Sequence, residues 1–160
     1  MKLNLPKYDL KVRKNSIGEF EIFDEFRKKY LYLTPEEWVR QNFLHFLVNE
    51  YQYPKSLIEI EKGLSLNKLQ KRADALVYNT SGKPVLLLEF KAPHIKLSQN
   101  VMEQIARYNL HFKVPYLIVS NGMEHLYFHI NFNTQTVTPL QEIPNFNEIN
   151  STAKSNENKE

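Results

Sequence analysis

Three charged residues fall where apolar strands would bury them. Asp74 lies in the run Arg72-Ala-Asp-Ala-Leu-Val-Tyr78, and Glu89 and Lys91 close the run Pro84-Val-Leu-Leu-Leu-Glu-Phe-Lys-Ala-Pro93. A carboxylate or ammonium among Val and Leu side chains is costly unless it is paired or bound to a cation. Glu89 and Lys91 are two residues apart, so on a strand they share one face and Phe90 takes the other. A hairpin turning through Asn79-Thr-Ser-Gly-Lys83 would bring Asp74 towards that face. Two carboxylates and one ammonium gathered there form a candidate site for phosphodiester hydrolysis. That reaction needs charge neutralised on the scissile phosphate and a deprotonated water in line with it. Magnesium (or manganese) supplies both, and it prefers one or two carboxylates with water and substrate oxygens to an all-protein cage. Asp74 and Glu89 are the candidate carboxylates and the Phe90 carbonyl a third protein ligand. Lys91 would orient the attacking water or stabilise charge on the phosphate. On these three residues alone, a Glu89–Lys91 ion pair on an edge strand explains the pattern equally well.

The elements that must position these residues are legible around them. Tyr8 to Phe23 alternates about Asn15-Ser-Ile-Gly18 and predicts a β-hairpin, followed by a connector from Phe23 to Tyr30. A helix starts at Thr34-Pro-Glu-Glu37, with Thr34 as N-cap, Pro35 in the first turn, Glu37 completing a capping box and Leu33 stapling to Trp38. Its apolar residues Val39, Phe43, Phe46 and Leu47 recur at helical spacing to about Glu50. Strands are expected at Leu57 to Glu61, Leu69 to Tyr78 and Val85 to Phe90. A second helix runs from the N-cap Ser98 to about Phe112. Further strands follow at Pro115 to Ser120, beyond the Asn121-Gly122 turn at Leu126 to Phe132, and at Thr136 to Pro139. The order predicts an α/β fold, a mixed β-sheet flanked by helices with an N-terminal β-hairpin. The chain divides into the hairpin and connector over 1–30, a central domain over 31–143 and a polar tail over 144–160 that is expected to be disordered.

Composition narrows the function classes. The chain has 160 residues and 19.0 kDa, enough for one real core and not for two. No apolar run approaches the roughly 20 residues of a membrane span. The start, Met-Lys-Leu-Asn-Leu-Pro, lacks an apolar stretch of signal-peptide length, so a cytoplasmic protein is expected. With no cysteine, disulfides, thiolate zinc and a cysteine nucleophile are excluded. A net charge of +3 and a pI near 8.9 permit a polyanionic partner without requiring one.

Asp74, fourteen intervening residues and Glu89-Phe90-Lys91, set between two helices, resemble the PD-(D/E)XK nuclease superfamily. More closely, the span from about Phe23 to Ile130 is similar to the small nuclease-like domain at the N-terminus of the R subunit of type I restriction enzymes. The segments that carry the likeness are Leu33 to Gln41, Tyr53 to Lys55, Lys71 to Asp74, Lys83 to Pro93, Gln104 to Tyr108 and Ser120 to Gly122. Ala73 stands where the superfamily's first motif has proline. The resemblance implies a restriction-endonuclease-like core over 31–143, metal binding by Asp74 and Glu89, and catalysis by Lys91. It also implies a role for Gln104 and Tyr108, a Gln-xxx-Tyr pair on one helix face. Many members carry an acid on the first helix that completes the metal site. Glu37 is the candidate, and Glu36 the weaker one, although a capping box and the helix dipole explain Glu37 without chemistry.

The implied activity is metal-dependent hydrolysis of nucleic acid, DNA in the first instance. The alternative is a non-catalytic nucleic-acid-binding module, or a partner-dependent subunit of a defence or repair complex. Homodimers, or larger complexes with a separate motor or specificity protein, fit both readings. No Gly-xxxx-Gly-Lys-Ser/Thr loop occurs, so any ATP-driven motor would be another protein. His125 and His129, four apart on an expected strand, do not form a zinc clamp. The basic clusters Lys11 to Lys14, Arg27 to Lys29 and Lys68 to Arg72 could contact phosphate or simply face solvent.

Overall fold

The computed structural model describes residues 1–60, 63–66 and 69–157, with 63–66, 69–72, 108, 110–112 and 152–157 described by backbone alone. In chain order the strands are β1 (Val12–Lys14), β2 (Phe20–Asp24), β3 (Lys29–Tyr32), β4 (Ile58–Ile60), β5 (Gly63–Leu66) and β6 (Leu69–Arg72). They continue with β7 (Ala75–Tyr78), β8 (Pro84–Phe90), β9 (Tyr116–Ser120), β10 (His125–Asn131) and β11 (Thr136–Leu140). The helices are α1 (Pro35–Glu50), α2 (Gln99–Phe112) and α3 (Phe146–Glu157).

The main sheet has the order β11-β10-β9-β8-β7-β4. Only β8 and β9 run parallel, and α2 makes the crossover between them. The expected mixed sheet with flanking helices is what the chain forms. Leu86, Leu88 and Phe90 of β8 join Ala75, Val77 and Ile118 on the face covered by Val39, Phe43, Leu44 and Leu47 of α1. Leu87, Leu76, Leu117 and Val119 take the other face, with Met102 and Ile105 of α2. A central strand buried on both faces reads as a continuous apolar run, which is why β8 is so legible in the sequence.

Three differences from expectation have physical causes. First, the N-terminal hairpin is a three-stranded sheet, β1-β2-β3. The expected connector turns at Asp24, whose Oδ1 accepts the Phe26 and Arg27 N–H groups at 2.7 and 3.0 Å, and returns as β3. That Asx turn lies hidden among charged residues in the sequence. Second, the strand expected from Leu69 to Tyr78 is broken at Ala73 and Asp74. β6 pairs with β5, whereas β7 enters the main sheet between β4 and β8.

Third, the polar tail is not a disordered segment from its start, because α3 docks on the core. Phe146 and Ile149 are both buried, and the Phe146 ring meets that of Tyr53 at 5.6 Å between centroids. The Tyr53 hydroxyl donates to the Pro144 carbonyl at 2.7 Å, and Asn150 Oδ1 accepts the Thr80 N–H at 3.0 Å. Among the described residues no helix is long and apolar enough to cross a membrane.

Phe146→Ala should therefore destabilise the protein by about 3 kcal/mol, as loss of a buried aromatic ring does. Asn147→Ala, on the exposed side of the same helix, should change stability by less than about 0.5 kcal/mol. Urea unfolding of the two variants checks the docking; equal stabilities would mean that α3 does not pack on the core.

Candidate active site

The β7–β8 ladder brings the two carboxylates together. Ala75 pairs with Leu88, so the same register continued by one residue sets Asp74 beside Glu89. The hairpin is held by Asn79, whose Oδ1 accepts the Ser81 and Lys83 N–H groups at 3.0 and 2.9 Å. Gly82 supplies the φ of +81° the turn needs. Where β7 begins, Asp74 Oδ2 accepts the Phe90 N–H at 2.7 Å. Asp74 Oδ1 lies 3.5 Å from Arg40 Nη2. The side chain thus replaces a ladder hydrogen bond at the break between β6 and β7.

Lys91 follows directly. Its N–H donates to the Ser120 carbonyl at 2.9 Å, extending the β8–β9 pairing by one residue. The loop beyond it is pinned by Asn121, whose Nδ2 donates to the Ile95 carbonyl at 2.8 Å. Asn121 Oδ1 accepts the Met123 and Glu124 N–H groups. Asp74, Glu89 and Lys91 therefore gather at the carboxyl end of β8, beside that of β9.

Burial raises the Glu89 carboxyl well above its ordinary range, and the Asp74 charge and a hydrogen bond with Asp74 raise it further. Lys91 offsets only part of this. Glu36 is raised too, first by burial and then by Asp74, with Arg40 and Lys91 opposing. Glu36, from the first turn of α1, therefore stands within reach of the field of Asp74 and Lys91.

Glu37 is placed differently. Its Oε1 accepts Gln41 Nε2 at 2.8 Å and Arg27 Nη2 at 3.2 Å, and its Oε2 accepts Arg40 Nη1 at 2.7 Å. Only half of the expected capping box forms. Thr34 Oγ1 accepts the Glu37 N–H at 3.0 Å, but the Thr34 N–H donates to the Tyr32 carbonyl at 3.1 Å. Two guanidinium groups are stronger partners for a carboxylate than one neutral N–H. Successive helix residues point about 100° apart, so one acid of the Glu36-Glu37 pair looks to the site and the other to the β2–β3 turn. Glu37 was the expected site acid and Glu36 the weaker one, whereas it is Glu36 that feels Asp74 and Lys91 and Glu37 that pairs most closely with Arg40. The spacings Glu36–Arg40 and Glu37–Arg40, four and three residues, were the available signal.

Gln104 is exposed on α2, and among the described residues no hydrogen bond or ion pair joins it to Asp74, Glu89 or Lys91. The side chain of Tyr108 lies outside the described residues, as do Lys68 and the side chains of 69–72 in the third basic cluster. The chemistry of the donors fits a hard divalent cation. They are carboxylate oxygens, and burial and the Asp74 charge raise the affinity of Glu89 for a proton. Among the described residues no group of three or more His, Cys, Asp or Glu is placed to hold a metal ion.

Comparison with known proteins gives this geometry a setting. No curated protein matches the chain. A solved fragment of an HsdR subunit of a type I restriction enzyme from Vibrio vulnificus YJ016 superposes with a TM-score of 0.57 at 20% identity, over 79% of this chain. The present chain spans 26% of the length of that one. Residues 35–144 match the family described as "Type I restriction enzyme R protein N terminus (HSDR_N)". That match takes in α1, the whole main sheet, Asp74, Glu89 and Lys91, and on it the chain belongs to the family of type I restriction enzyme R protein N-terminal domains.

Proposed function

We propose that this domain is a metal-dependent nuclease of the PD-(D/E)XK type that hydrolyses phosphodiester bonds in nucleic acid, with DNA as the first substrate to test. The observation that carries the reading is the Asp74–Glu89 carboxylate pair at the end of β8, with Lys91 next in the chain. A bound magnesium or manganese ion would neutralise charge on the scissile phosphate and lower the pKa of a coordinated water. Asp74 and Glu89 would hold it, with the Phe90 carbonyl as the expected third protein ligand. The hydrogen bond from the Phe90 N–H fixes Asp74 Oδ2. Glu89 would have to be deprotonated to hold the cation, and burial and Asp74 are what raise its affinity for a proton in the cation's place. Lys91 carries the ammonium that orients the attacking water or meets charge on the phosphate. Gln104 and Tyr108 remain proposed substrate or positioning residues on α2. Glu36, rather than Glu37, is the helix acid best placed to add a water-mediated contact to the cation.

The second reading, a subunit whose turnover or substrate grip depends on partners, draws on one observation. The chain spans 26% of the HsdR chain it resembles, so recognition and translocation would belong to other domains or proteins. In that setting the domain would act in the cytoplasm, as a homodimer or within a larger complex.

Incubating the protein with supercoiled plasmid and single-stranded DNA in magnesium, manganese or EDTA tests the proposal. Metal-dependent cleavage is expected, with Lys91→Ala slower by about 100-fold or more. No cleavage by the folded protein with either metal would transfer the function to the partner-dependent reading. Saturating manganese should raise the Tm of the wild type by about 5–10 °C and that of Asp74→Ala not at all.

The raised Glu89 carboxyl also sets a pH dependence. In the metal-free protein the folded state keeps a proton on Glu89 that the unfolded chain has already lost, so this group's contribution to stability falls as pH rises above the ordinary carboxylate range. Glu89→Gln should therefore melt at least about 2 °C above the wild type at pH 8 in EDTA. At pH 4, where the carboxyl is protonated in both states, the difference should vanish. A Glu89→Gln variant less stable than the wild type at pH 8 would refute the strained pair.

A further inference from the structure

We propose that Arg40, anchored by Glu37, is a positioning residue for Asp74, and that Glu37 serves the site through Arg40 without touching the cation. The inference deepens the metal-site reading above and rests on it. The guanidinium of Arg40 forks. Nη1 meets Glu37 Oε2 at 2.7 Å, the length of a charge-assisted hydrogen bond, whereas Nη2 stands 3.5 Å from Asp74 Oδ1 and 3.7 Å from Glu36. Arg40 is thus bound to Glu37 and only leans on Asp74. An arginine seated tightly on Asp74 would compete with a cation for the same oxygen. Drawn back by Glu37, it holds the orientation of Asp74 and leaves Oδ1 available.

Glu37 is itself immobilised, by Gln41 on its own helix and by Arg27 from the β2–β3 turn. Arg27 Nε in turn meets Oδ2 of Asp24, whose side chain has no exposure. The result is a line of alternating charge, Asp24, Arg27, Glu37, Arg40 and Asp74, that runs from the three-stranded sheet through α1 to the site. Its members are 0–20% exposed. Buried ion pairs are an inefficient source of stability, since apolar residues of equal volume often do as well or better. What the line holds at its inner end explains it better. The planar fork of arginine suits the task, because it grips Glu37 with one nitrogen and faces two site acids with the other.

The test is Mn2+ affinity, read from the electron paramagnetic resonance signal of free Mn2+, which needs no cleavage. Wild type is compared with Glu37→Gln, Arg40→Gln, Arg40→Lys, the double variant Glu37→Gln/Arg40→Gln, and Lys55→Gln, which breaks the exposed Lys55–Glu25 pair as a control. Glu37→Gln and Arg40→Gln should each weaken Mn2+ binding by about 10-fold, the range of residues that orient metal ligands. The double variant should be no weaker than either single one, since the two act as one unit. Arg40→Lys should recover only part of the affinity, and Lys55→Gln should bind as the wild type does. Wild-type affinity in a folded Glu37→Gln protein, or effects that add in full, would overturn the inference. A wild type that binds no Mn2+ would instead remove the metal site beneath it. If Glu37→Gln does not fold, Arg27→Gln, at a side chain more exposed than Glu37, should weaken binding by about threefold, and unchanged affinity there would overturn the inference equally.

Discussion

Two negative charges about 4 Å apart near a protein surface repel by roughly 4 kcal/mol, and this domain is built to set two carboxylates side by side. The β7–β8 register leaves Asp74 and Glu89 no other arrangement. Three features make it tolerable: the Phe90 N–H on Asp74, the proton that burial and Asp74 keep on Glu89, and the nearby guanidinium of Arg40. Each depends on a different part of the fold. The first needs the strand to break at Ala73, the second needs β8 to lie between two covered faces, and the third needs α1 to cross above it. The acidic pair is thus the point at which sheet, helix and N-terminal strands meet.

α1 separates two kinds of work within one helical turn. Glu36 faces the site, half-exposed and sensitive to Asp74 and Lys91. Glu37, one residue on, is buried among Arg27, Arg40 and Gln41. Removing one partner from such a cluster strands the others as uncompensated buried charge. The helix is therefore fixed in rotation as well as in position. A small rotation that brought Glu37 to the site would expose its partners and withdraw Arg40 from Asp74.

The sequence carried the apolar skeleton well and the polar turns poorly. β8, β9, α1 and α2 fall within a residue or two of where periodicity and capping put them, because central strands and capped amphipathic helices write their burial into consecutive residues. The approach of Asp74 to Glu89 was also legible, since Asn79 to Lys83 is a strong turn and a two-residue strand period leaves few registers. The break at Ala73 was not, because Arg72-Ala-Asp-Ala-Leu-Val has the same local propensities whether it forms one strand or the junction of two. β3 was hidden because Asp24 makes its turn with a side chain, and α3 because, among its described side chains, only Phe146 and Ile149 mark the buried apolar face. The division of labour between Glu36 and Glu37 depends on partners distant in sequence, Arg27 and Asp74, which no local pattern specifies.

One further arrangement imitates a different chemistry. Ser120 Oγ lies 2.7 Å from His125 Nδ1, and His125 Nε2 lies 2.8 Å from the Asn4 carbonyl, a serine, histidine and acceptor in line. A nucleophile needs access to substrate and a free lone pair. Ser120 has no exposure, and its Oγ already accepts the Gly122 N–H at 2.9 Å. With that bond made, Ser120 donates to Nδ1 and the ring donates from Nε2 to Asn4, which is the neutral imidazole that burial also favours at His125. The triplet is a tie. Together with the Asn4 N–H on the Gly122 carbonyl at 2.8 Å, it straps the N-terminal segment across the β9–β10 turn. Leu3 packs there so closely that a Cβ on Gly122 would meet its Cδ2 at 2.7 Å, at a φ of +84° that other residues rarely adopt. The same turn carries Asn121, which pins the loop after Lys91. Histidine and serine thus hold the backbone still on one side of the lysine.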